Sequence, residues 1–249
     1  MKYTYEQLAG MIDHSLLHPT MTDQELDDGC RLAAQYGVAS VCIKPYYVER
    51  AVELLKGTGV KVGVVVGFPH GGSTTEVKRY ETEVACRDGA TEIDMVINIG
   101  KALSGDWRYV EGDIQAVCEA AHQRGARVKV IFENDYLTNG GAHLSSNELK
   151  RKLCRVSERA GADWVKTSTG YGFVKGPDGK YSYQGATESD LKLMRASCSP
   201  SVQVKAAGGV RTLDGLIRMR ELGASRCGVT ATAAILDEHR KHARSPGKE

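Results

Sequence analysis

A parallel (β/α)8 barrel, a TIM barrel with a short N-terminal helix, is the α/β fold class that the sequence predicts. Three observations predict it. Short apolar runs recur eight times, each followed by a stretch with helical spacing. The chain has 249 residues, 41% of them hydrophobic, which suits one barrel better than two smaller domains. Two of the runs end in a lysine followed by a glycine turn, at 164–170 and 202–209, as in barrel strands that open on a mouth. An open, doubly wound sheet is the alternative arrangement of the same elements.

Thr4 and Gln7 have capping-box spacing and open the N-terminal helix ahead of a first strand at 11–17. Thr22 and Glu25 repeat the box at the start of helix 22–36, which Gly37 ends. The second strand covers 38–43, and Pro45 and Gly57 frame the helix after it. A valine-rich strand at 61–68 leads to a helix over about 74–88, and the fourth strand takes 91–98. Asp106 caps a helix that runs to about 124, before the fifth strand at 127–133. Helix 146–160, strand 164–168, helix 187–197, strand 201–206, helix 212–222, strand 225–229 and helix 231–242 complete a single domain over 1–249. Residues 172–185, rich in Gly, Lys and Tyr, are the longest irregular stretch after a strand and the candidate for a lid.

Composition excludes several classes. A formal net charge of +2 with scattered Lys and Arg argues against nucleic-acid and membrane partners, and the basic run at 239–248 reads as a solvated terminus. With no apolar stretch of spanning length and no secretory leader, the expected location is cytoplasmic. Seven cysteines without C-x-x-C spacing read as reduced, mostly buried thiols. His14 and His18 sit at a strand and its exit, where i,i+4 spacing does not converge, so no metal site is expected. No Gly-x-Gly-x-x-Gly fingerprint calls for a dinucleotide. Trp107 and Trp164 are expected between helices and strands, and Cys42 is expected to face inward with Lys44.

Strand parity carries the chemistry. Ile93, Met95 and Ile97 share one face of the fourth strand, and Glu92, Asp94 and Asn98 the other. Lys129 and Glu133 oppose Val128, Val130 and Phe132; Lys166 and Ser168 oppose Val165 and Thr167; Gln203 and Lys205 oppose Val202, Val204 and Ala206. If the apolar faces pack on helices, the ionisable ones look into the barrel, where burial is costly unless the groups pair and serve chemistry. Lys166 and Lys205 then lie on adjacent strands. At roughly 6 Å and an effective dielectric near 20, two ammonium groups repel by about 2.8 kcal/mol, which lowers one lysine by about two pKa units. A neutral amine attacks a carbonyl and forms a Schiff base, and Asp94 supplies a carboxylate for the proton transfers. Gly170 and Gly172 follow the sixth strand, Gly208 and Gly209 the seventh, and Thr230 the eighth. With Thr169 they make a candidate phosphate cradle.

These residues resemble the deoxyribose-phosphate aldolase family of class I aldolases from about position 12 to 235. The likeness rests on Ile12-Asp13-His14-Ser15-Leu16-Leu17, Val41-Cys42-Ile43-Lys44-Pro45, Val66-Gly67-Phe68-Pro69-His70-Gly71 and Glu92-Ile93-Asp94-Met95-Val96-Ile97-Asn98. Lys129-Val130-Ile131-Phe132-Glu133, the Lys166 stretch, Gly185-Ala186-Thr187 and Lys205-Ala206-Ala207-Gly208-Gly209-Val210-Arg211-Thr212 extend it. The resemblance implies reversible cleavage of 2-deoxy-D-ribose 5-phosphate to D-glyceraldehyde 3-phosphate and acetaldehyde. It makes Lys166 the Schiff-base lysine, Lys205 the residue that lowers its pKa and Asp94 the relay carboxylate. Asp13, Cys42 and Lys129 match positions lining the substrate pocket, and Gly170, Gly208 and Gly209 match phosphate-loop glycines. No metal or organic cofactor is implied, and the assembly implied is a homodimer or homotetramer. The chain departs from the family where a Ser-Ser pair usually follows the eighth strand, with Thr230-Ala231 instead, and where Thr usually follows the fifth-strand glutamate, with Asn134 instead. An aldolase of the same mechanism for another or an unphosphorylated short sugar is the alternative.

Overall fold

Alternating side chains sort each central strand into a face for helices and a face for the lumen in this computed structural model, which describes residues 2–244. The elements begin with α1 (Tyr5–Ala9), β1 (Ile12–Leu16), α2 (Asp23–Tyr36), β2 (Ser40–Ile43), α3 (Val48–Leu55), β3 (Lys61–Val66), α4 (Thr75–Arg87) and β4 (Glu92–Val96). There follow α5 (Ile99–Leu103), α6 (Trp107–His122), β5 (Arg127–Ile131), α7 (Ser146–Arg159) and β6 (Trp164–Lys166). The remainder are β7 (Val174–Lys175), β8 (Tyr181–Ser182), α8 (Glu188–Ser197), β9 (Gln203–Ala207), α9 (Leu213–Glu221), β10 (Ala224–Val229) and α10 (Thr232–Arg244). Eight parallel strands close a barrel in the order β1-β10-β9-β6-β5-β4-β3-β2. The doubly wound alternative is thereby excluded.

The caps are those the spacing predicts. Thr4 and Thr22 close capping boxes with Gln7 and Glu25, Asp106 accepts from the Tyr109 amide, and Gly37 ends α2 in the left-handed region at φ 62°. Ile93, Met95, Val128, Val130, Val165 and Val204 are fully buried in the core with the helices. Each such side chain stabilises the fold by roughly 1.5–3 kcal/mol. The opposite faces carry Glu92, Asp94, Lys129, Lys166 and Lys205, also buried.

Register places Asp94 beside Lys129 across β4 and β5, and Lys166 beside Lys205 across β6 and β9. A bulge lies between Ala224 and Arg226 on β10, so that Arg226 comes level with Lys205.

Three features differ from expectation. Ile99–Leu103 form the short helix α5, because the Asn98 side chain caps it by accepting from the Lys101 amide at 3.1 Å. The stretch 172–185, expected to be irregular throughout, contains an antiparallel hairpin, β7 with β8. Trp164 shares the lumen-facing parity of Lys166 and forms part of the lumen wall, its ring centroid 5.8 Å from Lys129 Nζ and 5.5 Å from the Arg226 guanidinium, while its Nε1 donates to Ser225 Oγ at 3.0 Å. Trp107 is half-buried against the helical layer as expected.

All seven cysteines are free thiols. No described helix is long and apolar enough to cross a membrane. The end of the basic run, 245–248, lies outside the described residues.

Candidate active site

Seven charged side chains meet in the lumen: Asp13 from β1, Glu92 and Asp94 from β4, Lys129 from β5, Lys166 from β6, Lys205 from β9 and Arg226 from β10. None exceeds 8% exposure, so almost every charge must be balanced by its neighbours. Lys129 Nζ sits 3.1 Å from Asp13 Oδ2, 2.6 Å from Glu92 Oε2 and 2.9 Å from Asp94 Oδ1. Lys205 Nζ sits 2.5 Å from Asp13 Oδ2 and 2.8 Å from Asp94 Oδ2. Arg226 donates to Glu92 through both terminal nitrogens and to Asp13 through one. Lys166 Nζ has a single carboxylate partner in the lumen, Asp94 Oδ2 at 2.6 Å.

That inequality sets the proton affinities. Burial would lower Lys129 and Lys205, but carboxylates outweigh it and hold both above the ordinary lysine value. Burial would raise Asp94, but the three lysines outweigh it and keep it ionised. Lys166 moves the other way. Burial lowers it, the Lys205 charge lowers it further, and Asp94 only partly opposes them. Like-charge repulsion was expected to be the main cause; here it is secondary to burial, because Asp94 Oδ2 lies in contact with both amines and screens each from the other.

A cavity of about 390 Å³ opens at the carboxyl ends of the strands. Lys166 reaches its wall, alone among the seven charged groups. Gly170, Gly208, Gly209 and Thr230 line the same cavity, with Thr169, Tyr171, Arg211 and the hairpin residue Tyr183. Gly208 requires its lack of a side chain, for at φ 90° a Cβ would lie 2.9 Å from the Gly185 Cα. Asp135 holds the hairpin's return against this turn by accepting the Gln184 and Gly185 amides at 2.6 and 3.1 Å. His14, on the cavity wall, has Nδ1 2.9 Å from Thr232 Oγ1, and burial pushes its pKa down to about 4. A larger hollow of about 600 Å³, on the outside of the barrel between Phe68 and α4, holds none of these groups.

Several expected positions need correction. Asp13, Cys42 and Lys129 do not line the cavity and are buried at 0–1% exposure, Asp13 and Lys129 in the lumen ion pairs and Cys42 packed with Leu17 and Val65. Burial pushes the Cys42 thiol up to about 11, so it is a neutral neighbour of Asp94 Oδ2 at 3.8 Å. Lys44 lies past the end of β2 and turns to the rim, donating to the His18 carbonyl at 2.9 Å. Thr169 lies on the wall, but its amide and hydroxyl both donate to Glu133, not toward the cavity. Sequence reasoning missed Arg226 and the Glu133 contact. The signal for Arg226 was a lone arginine inside the eighth strand. Among the described residues no group of three or more His, Cys, Asp or Glu is placed to hold a metal ion.

Residues 8–235 match the family described as DeoC/LacD family aldolase. The chain is 49% identical over 247 residues to the deoxyribose-phosphate aldolase of Rhodopirellula baltica, covering 99% of this chain and 95% of that one. It is 45% identical over 232 residues to the deoxyribose-phosphate aldolase of Clostridium perfringens, covering 93% and 95%. The tetrameric structure of deoxyribose phosphate aldolase from Aeropyrum pernix superposes with a TM-score of 0.81 at 30% identity, covering 95% of this chain and 92% of that one.

The electrostatic arrangement makes a direct prediction. Lys205→Met removes the positive charge nearest Lys166 and leaves more of the Asp94 charge to it, so the Lys166 pKa rises. The pH midpoint for reductive alkylation of Lys166 by a small aldehyde should move upward by about one unit, the size of a coupling worth about 1.4 kcal/mol. A midpoint equal to that of the parent protein would show that Lys205 does not tune Lys166.

Proposed function

The chain belongs to the DeoC/LacD aldolase family, and we propose that, within this carbon–carbon lyase family, it reversibly cleaves 2-deoxy-D-ribose 5-phosphate through a Schiff base on Lys166. The products are D-glyceraldehyde 3-phosphate and acetaldehyde. One observation carries the reading: of the lumen cations, Lys166 is both the one held below its ordinary pKa and the one that reaches the cavity. The names of the relatives supply the substrate.

The neutral Nζ of Lys166 adds to the C1 aldehyde of the open-chain sugar, and loss of water leaves an iminium. The C3 hydroxyl then gives up its proton as the C2–C3 bond breaks, releasing glyceraldehyde 3-phosphate. The electron pair of that bond stays on the enzyme as an enamine. Protonation at C2 and hydrolysis release acetaldehyde and restore the amine. Asp94 is suited to pass the protons because one of its oxygens touches both Lys166 and Lys205. Lys205, kept charged by Asp13 and Asp94, serves as the fixed cation that disfavours a second charge on Lys166. The 5-phosphate is assigned to the end of the cavity where Gly170, Gly208 and Gly209 meet the start of α10, with Thr230 as a hydroxyl donor. A volume of about 390 Å³ accommodates such a sugar phosphate.

A homodimer or homotetramer is part of this proposal, supported by the tetramer of the Aeropyrum relative. Exposed Tyr46, Val77 and Tyr80 offer apolar surface for it. Light scattering at micromolar concentration should give a mass of two or four chains; a single-chain mass would contradict it.

The mechanism is tested by borohydride reduction in the presence of acetaldehyde, followed by peptide mass mapping. The expected result is one C2 adduct on Lys166 that disappears in Lys166→Met. A protein that remains unmodified, or an adduct retained by the variant, would refute the assignment.

A further inference from the structure

Glu133 is a buried carboxylate that the mechanism above does not use. It follows β5 and sits at φ 56°, ψ 67°, in the left-handed region that a non-glycine residue rarely adopts. Parity alone would continue it into the lumen with Lys129. Instead, the left-handed step brings its carboxylate to the turn after β6. Thr169 donates to it through the amide, at 3.3 and 3.2 Å to the two oxygens, and through the hydroxyl to Oε2. Thr169 Oγ1 in turn accepts the Tyr171 amide at 2.9 Å. Gly172 completes the wrap, since a Cβ there would lie 2.5 Å from the Glu133 Cδ. The whole turn from 169 to 172 is therefore folded around one side chain.

The consequence falls on Gly170. The amides of Thr169 and Tyr171 are consumed inside the turn, and Gly170, at φ 88° on the cavity wall, is the residue between them. Its amide has no protein partner among the described residues. We propose that Glu133 is a positioning residue for the phosphate end of the site: it turns the donors of Thr169 inward and thereby presents the Gly170 amide to the 5-phosphate. This rests on the substrate assigned above. Burial pushes Glu133 up to about 7; its contacts with Thr169 and the charge of Lys166 oppose the rise, and Asp135 adds to it. A carboxylate kept buried at that cost, on a strained backbone, is better explained by the turn it holds than by packing.

Glu133→Ala is the test, with two readouts. The fall in kcat/KM for 2-deoxyribose 5-phosphate should exceed the fall for unphosphorylated 2-deoxyribose by fivefold or more and appear mainly in KM. Amide hydrogen exchange at Thr169 and Tyr171 should accelerate at least fivefold while α7 keeps its protection. Equal losses on the two sugars, or an unaltered exchange rate in the turn, would overturn the proposal. Should the alanine variant fail to fold, Glu133→Gln, which retains one acceptor oxygen, is read against the same criteria with a twofold threshold. A parent protein with no preference for the phosphorylated sugar would instead overturn the substrate assignment, leaving the exchange result to decide the role of Glu133.

Discussion

Four basic and three acidic side chains share a volume almost closed to solvent, and the structure depends on how their charges are divided. Taking any one of them out of water alone is prohibitive, and breaking one buried pair costs about 3–5 kcal/mol. The lumen is stable because the four cations, from the consecutive strands β10, β9, β6 and β5, pair with carboxylates supplied by β1 and β4 on either side of them. Three carboxylates surround Lys129, while two each hold Lys205 and Arg226. Lys166 receives part of one. At an effective dielectric near 20, unit charges 4 Å apart interact by about 4 kcal/mol. The attraction of Asp94 exceeds the repulsion of Lys205, and burial, the largest of the three effects, decides the direction for Lys166. The same division that stabilises the barrel leaves one amine inexpensive to deprotonate.

The scaffold places that amine where it can react. Lys166 is the last residue of β6, at the carboxyl end of the barrel, so its nitrogen reaches the cavity while its register partner Lys205 remains beneath the floor. The turns after β6 and β9 then supply glycine backbone at the same mouth, and the hairpin between β6 and α8 adds Tyr183. Local geometry is over-determined here: Gly185 and Gly208 touch backbone to backbone, with Asp135 fixing the approach. A reactive group and its anion site are thus anchored to separate elements and brought together by closure of the barrel.

Much of this arrangement could be read before any coordinates. Period-two parity alone put Asp94, Lys129, Lys166 and Lys205 in one space, and side-chain spacing located the caps at Thr4, Thr22 and Asp106. What escaped did so for identifiable reasons. The bulge on β10 resets alternation after Ala224, so parity was no guide to Arg226. The left-handed backbone at Glu133 breaks alternation at the end of β5 and redirects a carboxylate to another strand's turn. Trp164 was misplaced by its apolar character, although its parity with Lys166 pointed into the lumen. Parity also gives the face of a residue but not its depth, and the family resemblance, which placed Asp13, Cys42 and Lys129 along the substrate pocket, did not show that all three would be buried at 0–1% exposure. Depth follows from tertiary contacts, ion pairs for Asp13 and Lys129 and apolar packing for Cys42, which no local pattern encodes.

The central claim is that the three lumen lysines differ in proton affinity although they share a few ångströms of space. Titration of the folded protein by NMR, with lysine side chains labelled at Cε and each assigned by substitution, measures this directly. Lys166 should titrate below the ordinary lysine value of 10.5, while Lys129 and Lys205 should remain protonated above it. A spectrum in which Lys166 titrates at or above the other two would contradict the account at its root.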